Sequence, residues 1–171
     1  TDVSWMVMEN YYSLLQKKFQ ADDSCVTICN YHSTQCMYQV SEMFQKLPSK
    51  DQVFTESTCS QMMRKKDLTT IQASESTSQI MLFPFYYLPD KQFVLGIVLR
   101  NSGRIYFLDT QHDDDRQQFF ENLFPIFLST YLSAFEKVQF QYCVTSEDDM
   151  ESNDSAKFVC LYMYIIMELA R

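Results

Sequence analysis

Residues 91–109, KQFVLGIVLRNSGRIYFLD, constrain this chain more than any other stretch, because they read as an antiparallel hairpin. Residues 92–99 are an almost unbroken apolar run rich in Val, Ile and Leu, so both faces of that strand are expected to be buried. Asn101, Ser102 and Gly103 supply the turn, with Gly103 free to adopt a positive φ. Residues 104–108 return as the second strand, which stops at Asp109. Folding about Asn101 and Ser102 sets Val94 opposite Asp109 and brings Gln92 and Asp109 to the same open end. Two polar side chains at the open end of a buried hairpin mark the place where a fold can hold chemistry.

Around the hairpin the pattern is helices, a meander of strands, then helices again, which predicts an α+β domain. Ser4 can cap a first helix with Val7, Tyr11, Leu14, Leu15 and Phe19 along one side. After a break at 22–24, residues 25–29 suit a short strand and 33–47 a helix stopped by Pro48. Residues 52–59 and 73–79 read as loops, and 62–68 as helical or irregular. The run 80–84 predicts a strand feeding the hairpin through a connection at 85–90. A helix over 115–135 should be kinked or split by Pro125. A strand follows at 138–144, then an acidic loop. Residues 155–171 are apolar nearly all round, the pattern of a helix buried in the middle of a fold, with Leu161 and Ile165 inside.

A chain of 171 residues suits a single domain with a sizeable core, and its start at Thr1 suggests a domain cut from a longer protein. The net charge of −8 excludes a phosphate-backbone partner as the main role, and Arg64-Lys65-Lys66 reads as a solvated face. No apolar run is long enough for a membrane span and no signal peptide is visible. The six cysteines are expected to be reduced thiols of an intracellular protein, nuclear or cytoplasmic. Cys25, Cys29, His32 and Cys36 lie close together, but their spacing matches no zinc motif, so neither a metal nor a cofactor is expected. Asn153-Asp154-Ser155 matches a glycosylation sequon, which lacks meaning without a secretory signal.

Three blocks carry a family resemblance. WMVMENYYSLL (5–15), the strands of 80–109 and NDSAKFVC (153–160) resemble, in this order, segments of the SUMO/sentrin-specific (ubiquitin-like-protein) cysteine protease domain. They correspond to the opening tryptophan helix, the His-Trp and Tyr-x-x-Asp strands, and the Asp-Cys-Gly segment that places the nucleophile at a helix start. The resemblance implies a papain-like fold, with a central, mostly antiparallel sheet flanked by helices. Such a protease needs a thiolate, an imidazole base, a carboxylate to orient it and an amide donor for the oxyanion. By resemblance those positions hold Ser155, Gln92, Asp109 and Asp149. Asp109 alone is retained. Gln92 offers no base, Ser155 depends on one even more than cysteine does, and the acidic run Glu147, Asp148, Asp149, Glu151 and Asp154 opposes any developing anion.

Several alternatives remain open at this level. Ser155 can be an engineered replacement for cysteine, and His112 can stand in as a base or simply be solvated beside the next helix. Asp109 can cap the turn that follows it. Trp5 and Phe93 match the tryptophans that wall the family's di-glycine tunnel, or they are ordinary core aromatics. Met8 stands where the family has an acidic residue, which removes a charge-paired SUMO contact. The expectation is an inactive protease-like domain used as an interaction or scaffold module. The alternative is a working ubiquitin-like-specific cysteine protease captured with Cys changed to Ser at position 155. A protein partner with a basic segment would meet an acidic rim of residues 113–115 and 147–154, including Asp148, Asp149 and Glu151.

Overall fold

The structure, a computed structural model, describes residues 3–19, 25–29, 31–47, 79–132, 135–145 and 155–170. The element order is α1 (Val3–Phe19), β1 (Val26–Ile28), α2 (Tyr31–Gln45), β2 (Ile80–Tyr87), β3 (Gln92–Leu99), β4 (Arg104–Asp109), α3 (Asp114–Tyr131), β5 (Gln139–Val144) and α4 (Ser155–Leu169). The strands form one five-stranded sheet in sequence order. The three inner strands pair antiparallel, whereas β1 and β5 add to the two edges in parallel. The sheet is therefore mixed, where a mostly antiparallel one was expected.

The hairpin forms as read. Leu95 pairs with Leu108 and Leu99 with Arg104, a register that leads to Val94 opposite Asp109. Gly103 has a φ of 64°, and a Cβ there would stand 2.9 Å from the Lys137 carbonyl oxygen, so glycine is required on both counts.

Alternation along the strands divides the core between two helical layers. Met81, Phe83, Phe85, Val94, Val98, Ile105 and Phe107 face α2 and α3. Leu82, Tyr86, Phe93, Leu95 and Ile97 face α1 and α4. The first layer is largely aromatic: Phe107 packs on Phe120 and Phe83 on Phe127, with ring centroids 4.9 Å apart in each pair. Gly96 lies within it, where a Cβ would come 3.0 Å from Phe85 Cε2 and 3.1 Å from Phe107 Cε1.

Four expectations are corrected here. β2 continues past Pro84 to Tyr87. Ile80 and Leu82 direct their backbone groups to Cys25 and Cys29, so the missing N–H of Pro84 lies on that same side, past the end of the short β1. α3 passes through Pro125 as one helix ending at Tyr131. The proline costs about 3 kcal/mol, and burial of Phe119, Phe120, Leu123, Ile126 and Phe127 at about 1.5–3 kcal/mol each outweighs it. On α1, among the described side chains, Met8, Leu15 and Phe19 are buried, while Val7 and Leu14 face solvent. α4 buries Ala156, Val159, Cys160, Met163 and Met167, but Leu161 is 52% and Ile165 40% exposed. The helix forms an outer layer, because α1 and the sheet cover only one of its sides.

α1 and α4 are clasped by Lys18, whose Nζ donates to Tyr164 Oη at 2.8 Å and meets Glu168 Oε1 at 3.0 Å. No helix among the described residues is long and apolar enough to cross a membrane.

Candidate functional site

The site is built where β3 begins, β4 ends and α4 begins. Ser155 is the first residue of α4, and its Oγ accepts a hydrogen bond from the Phe93 N–H at 3.0 Å. That bond fixes the hydroxyl next to Gln92, the first residue of β3. Two residues far apart in sequence, matched by resemblance to nucleophile and base, are thus adjacent in the fold. Both are buried. The Gln92 Oε1 atom is buried without a hydrogen-bond partner. A carboxamide there neither gains nor loses a proton in the physiological range, so nothing at this position can deprotonate the Ser155 hydroxyl.

Asp109 is fully buried at the end of β4. The group that faces it is a guanidinium. Arg116 Nε donates to Asp109 Oδ2 at 2.7 Å, the Tyr142 hydroxyl donates to the same oxygen, and the Gln111 N–H donates to Oδ1 at 3.2 Å. The last contact is the turn-capping role weighed for Asp109 from the sequence. Arg116 extends the network: Nη1 donates to Asp90 Oδ2 at 2.6 Å and Nη2 to the Gln111 carbonyl at 2.7 Å. Its side chain is only 4% exposed.

The electrostatics follow from that geometry. Burial works against the Arg116 charge, but hydrogen bonding and attraction to Asp109, then Asp90, outweigh it and hold its pKa above the ordinary arginine value. Burial, followed by the hydrogen bond to Asp109, pushes the Tyr142 hydroxyl well above the usual tyrosine range, so it remains a donor. The carboxylate is therefore engaged from both of its oxygens.

The sequence did not single out Arg116. The available signal was an arginine two residues after Asp114 in a helix start otherwise made of acids. Asp113 caps that helix, its Oδ1 accepting from the Arg116 N–H at 2.8 Å, and this aims the side chain back at β4.

His112 is exposed at the start of α3. Its Nε2 lies 3.2 Å from Gln117 Oε1 and 3.6 Å from Asp114 Oδ1, and its ring meets Tyr142 edge-on. It has its own partners on the surface, in keeping with a solvated histidine.

Phe93 is 1% exposed and packs on Tyr86 within the core, as in the core-aromatic alternative weighed from the sequence. The Trp5 side chain and the acidic residues Asp148, Asp149 and Glu151 lie outside the described side chains and residues. Cys25, Cys143 and Cys160 are free thiols. Cys160, one turn beyond Ser155, is buried, and burial pushes its thiol up to about 11, away from nucleophilic service. Among the described residues no cluster of His, Cys, Asp or Glu is arranged to hold a metal.

No family model matches this sequence, and no curated protein matches it. Solved structures do. The Xanthomonas XopD structure, described in connection with substrate specificity of ubiquitin-like protein proteases, superposes with a TM-score of 0.54 at 11% identity, covering 98% of this chain and 81% of that one. The SUMO protease Ulp1, with its catalytic cysteine oxidised to a sulfinic acid, gives 0.51 at 11% identity over 82% of this chain and 66% of that one. The fold is that of the ubiquitin-like-protein proteases. At such low identity the shared feature is the architecture of the protease fold, an α+β arrangement with the sheet and helices described above.

Proposed function

We propose that this domain is a catalytically inactive form of the ubiquitin-like-protein protease fold, serving as a protein-interaction or scaffold module. The observation that carries the reading is the engagement of Asp109 by Arg116 and Tyr142, with Gln92 at the position that resembles the base. A carboxylate that orients an imidazole must have an oxygen available to it. Here Oδ2 is held by two donors, and Oδ1, which among the described residues accepts only from the Gln111 amide, has a carboxamide and no imidazole supplied from position 92. Losing an imidazole from such a place leaves a buried charge without compensation, and a guanidinium restores the balance while ending proton transfer. Ser155 then has a structural duty, holding the Phe93 N–H at the start of β3. The free thiols are consistent with an intracellular location, in nucleus or cytoplasm, which belongs to the same proposal.

The experiment is labelling by SUMO and ubiquitin carrying a C-terminal electrophile. The wild-type chain and Ser155→Cys should both remain unlabelled, because the single change restores a thiol without a base. Gln92→His combined with Ser155→Cys should also stay inert while Arg116 holds Asp109. Labelling or precursor cleavage by Ser155→Cys alone would overturn the proposal in favour of a working protease whose nucleophile had been replaced.

A further inference from the structure

β1 and β5 are the two edge strands, and they differ in what they offer. β1 is three residues long; β5 runs for six, with the sequence QFQYCV. The Gln139 N–H donates to the Gly103 carbonyl at 2.9 Å and the Thr145 N–H to the Asp109 carbonyl at 2.8 Å. Along a ladder, residues that bond one neighbour alternate with residues that face away from it. The N–H and C=O groups of Phe140, Tyr142 and Val144 therefore point outward from β4, and among the described residues no strand pairs with them.

Edges of this length are usually blunted by lysine, proline, a bulge or a covering element, since unpaired backbone groups template further pairing. β5 holds no lysine or proline, and its register with β4 runs without a bulge. Its surroundings define what can lie against it. On one face α3 reaches the edge, with Phe124 packed on Phe140 at 5.5 Å between ring centroids and both rings half-buried. On the other face Gln139 and Gln141 are exposed. At the far end the His112–Tyr142 contact brings the α3 start beside the strand, with Asp113, Asp114 and Asp115 in succession. Arg116 does not offset these acids, because its charge is committed to Asp109 and Asp90.

We propose that β5 accepts an extended, basic segment of a partner protein as a sixth strand. The segment's main chain bonds the outward groups of Phe140, Tyr142 and Val144. Its apolar side chains lie against Phe124 and Phe140, and its basic end meets Asp113, Asp114 and Asp115. Main-chain bonding supplies affinity in this mode and the alternate side chains supply selectivity. A second copy of the chain is disfavoured as occupant by the net charge of −8 on each molecule. The inference rests on the reading of the domain as an interaction module and names the surface that does the work.

The test uses the whole chain and a fluorescein-labelled synthetic peptide of about ten residues, alternating valine with threonine and ending in lysines, followed by fluorescence anisotropy. Saturable binding is expected. Val144→Pro should weaken it at least tenfold while the melting temperature holds, because the N–H that proline removes faces away from β4. The same peptide N-methylated at alternate residues should lose binding to the wild-type chain, which keeps the test decisive should the proline variant fail to fold. Asp114→Asn with Asp115→Asn should lower affinity at low salt and flatten its salt dependence. Absent binding, or equal binding by Val144→Pro or by the methylated peptide, overturns the inference. So does sedimentation showing a wild-type dimer that Val144→Pro dissolves, which would assign the edge to a second copy. These readouts are independent of electrophile labelling, so an active Ser155→Cys variant would sink the inactivity proposal without altering the peptide result.

Discussion

Replacing Arg116 with methionine isolates the interaction on which the inactive reading depends. The substitution keeps most of the aliphatic volume and deletes the guanidinium. Asp109, with no exposed surface, would then be left with only the Tyr142 hydroxyl and the Gln111 N–H as donors. Breaking a buried pair by removing one partner costs about 3–5 kcal/mol, chiefly because the survivor is left uncompensated. The Asp90 arm adds little: its carboxylate is 38% exposed, and pairs of that kind contribute roughly 0–1 kcal/mol. Asp90→Asn should therefore be nearly silent, whereas Arg116→Met should lower the melting temperature by roughly 6–20 °C in a domain of this size. Adding Asp109→Asn to Arg116→Met removes the orphaned charge and should recover a good part of the loss, since the amide oxygen can still accept from the Gln111 N–H while its NH2 donates to the Tyr142 hydroxyl oxygen. Urea unfolding followed by far-UV circular dichroism of wild type, Arg116→Met, Asp109→Asn and the double variant completes the cycle, with Asp90→Asn as the control. A loss below about 1 kcal/mol for Arg116→Met, or no recovery in the double variant, would refute the argument that Arg116 replaces an imidazole as the counter-charge of Asp109.

Three further outcomes follow from packing and titration. Met163→Asp places a charge in the fully buried face of α4 and should unfold the domain, while Ile165→Asp, on the exposed side, should melt within a few degrees of wild type by thermal circular dichroism. Gly96→Ala forces a methyl against the Phe85 and Phe107 rings and should cost about 1–3 kcal/mol in urea unfolding. Burial raises the Cys160 thiol from 9.0 to about 11, so the fold favours its neutral form. The associated stability is fully present below pH 9 and is lost as pH rises through about 11; thermal melts across that window should decline, and Cys160→Ala should flatten the decline.

The sequence determined the hairpin, its turn at Gly103 and its register, because the signals that set them are local: an apolar run, a turn cluster and a return strand. The same holds for the existence of the four helices among the described residues and for β5. Its three family-like blocks also pointed to the right fold, although nothing local in Ser155 requires its bond to the Phe93 N–H at the start of β3. What it misjudged was which side of a helix is inside. α4 is apolar nearly all round, so periodicity could not say that Met163 faces the sheet and Ile165 faces water; the position of α1 and the sheet decides it. β2 was cut short at Pro84 because a proline weighs against a strand, and only the length of the neighbouring β1 shows that its missing N–H costs nothing there. Pro125 was read as kinking or splitting its helix for the same reason; burial of one face of α3 keeps the helix from splitting. The fate of Asp109 was the least legible feature. From the sequence, with no imidazole partner in sight, its retention reads better as a turn cap than as a surviving catalytic carboxylate. The choice depends on Arg116 and Tyr142, which come from different elements and reach Asp109 only when β4, β5 and the start of α3 assemble around it. A charge relationship of that kind exists in three dimensions alone, because burial is what makes the counter-charge necessary and packing is what supplies it.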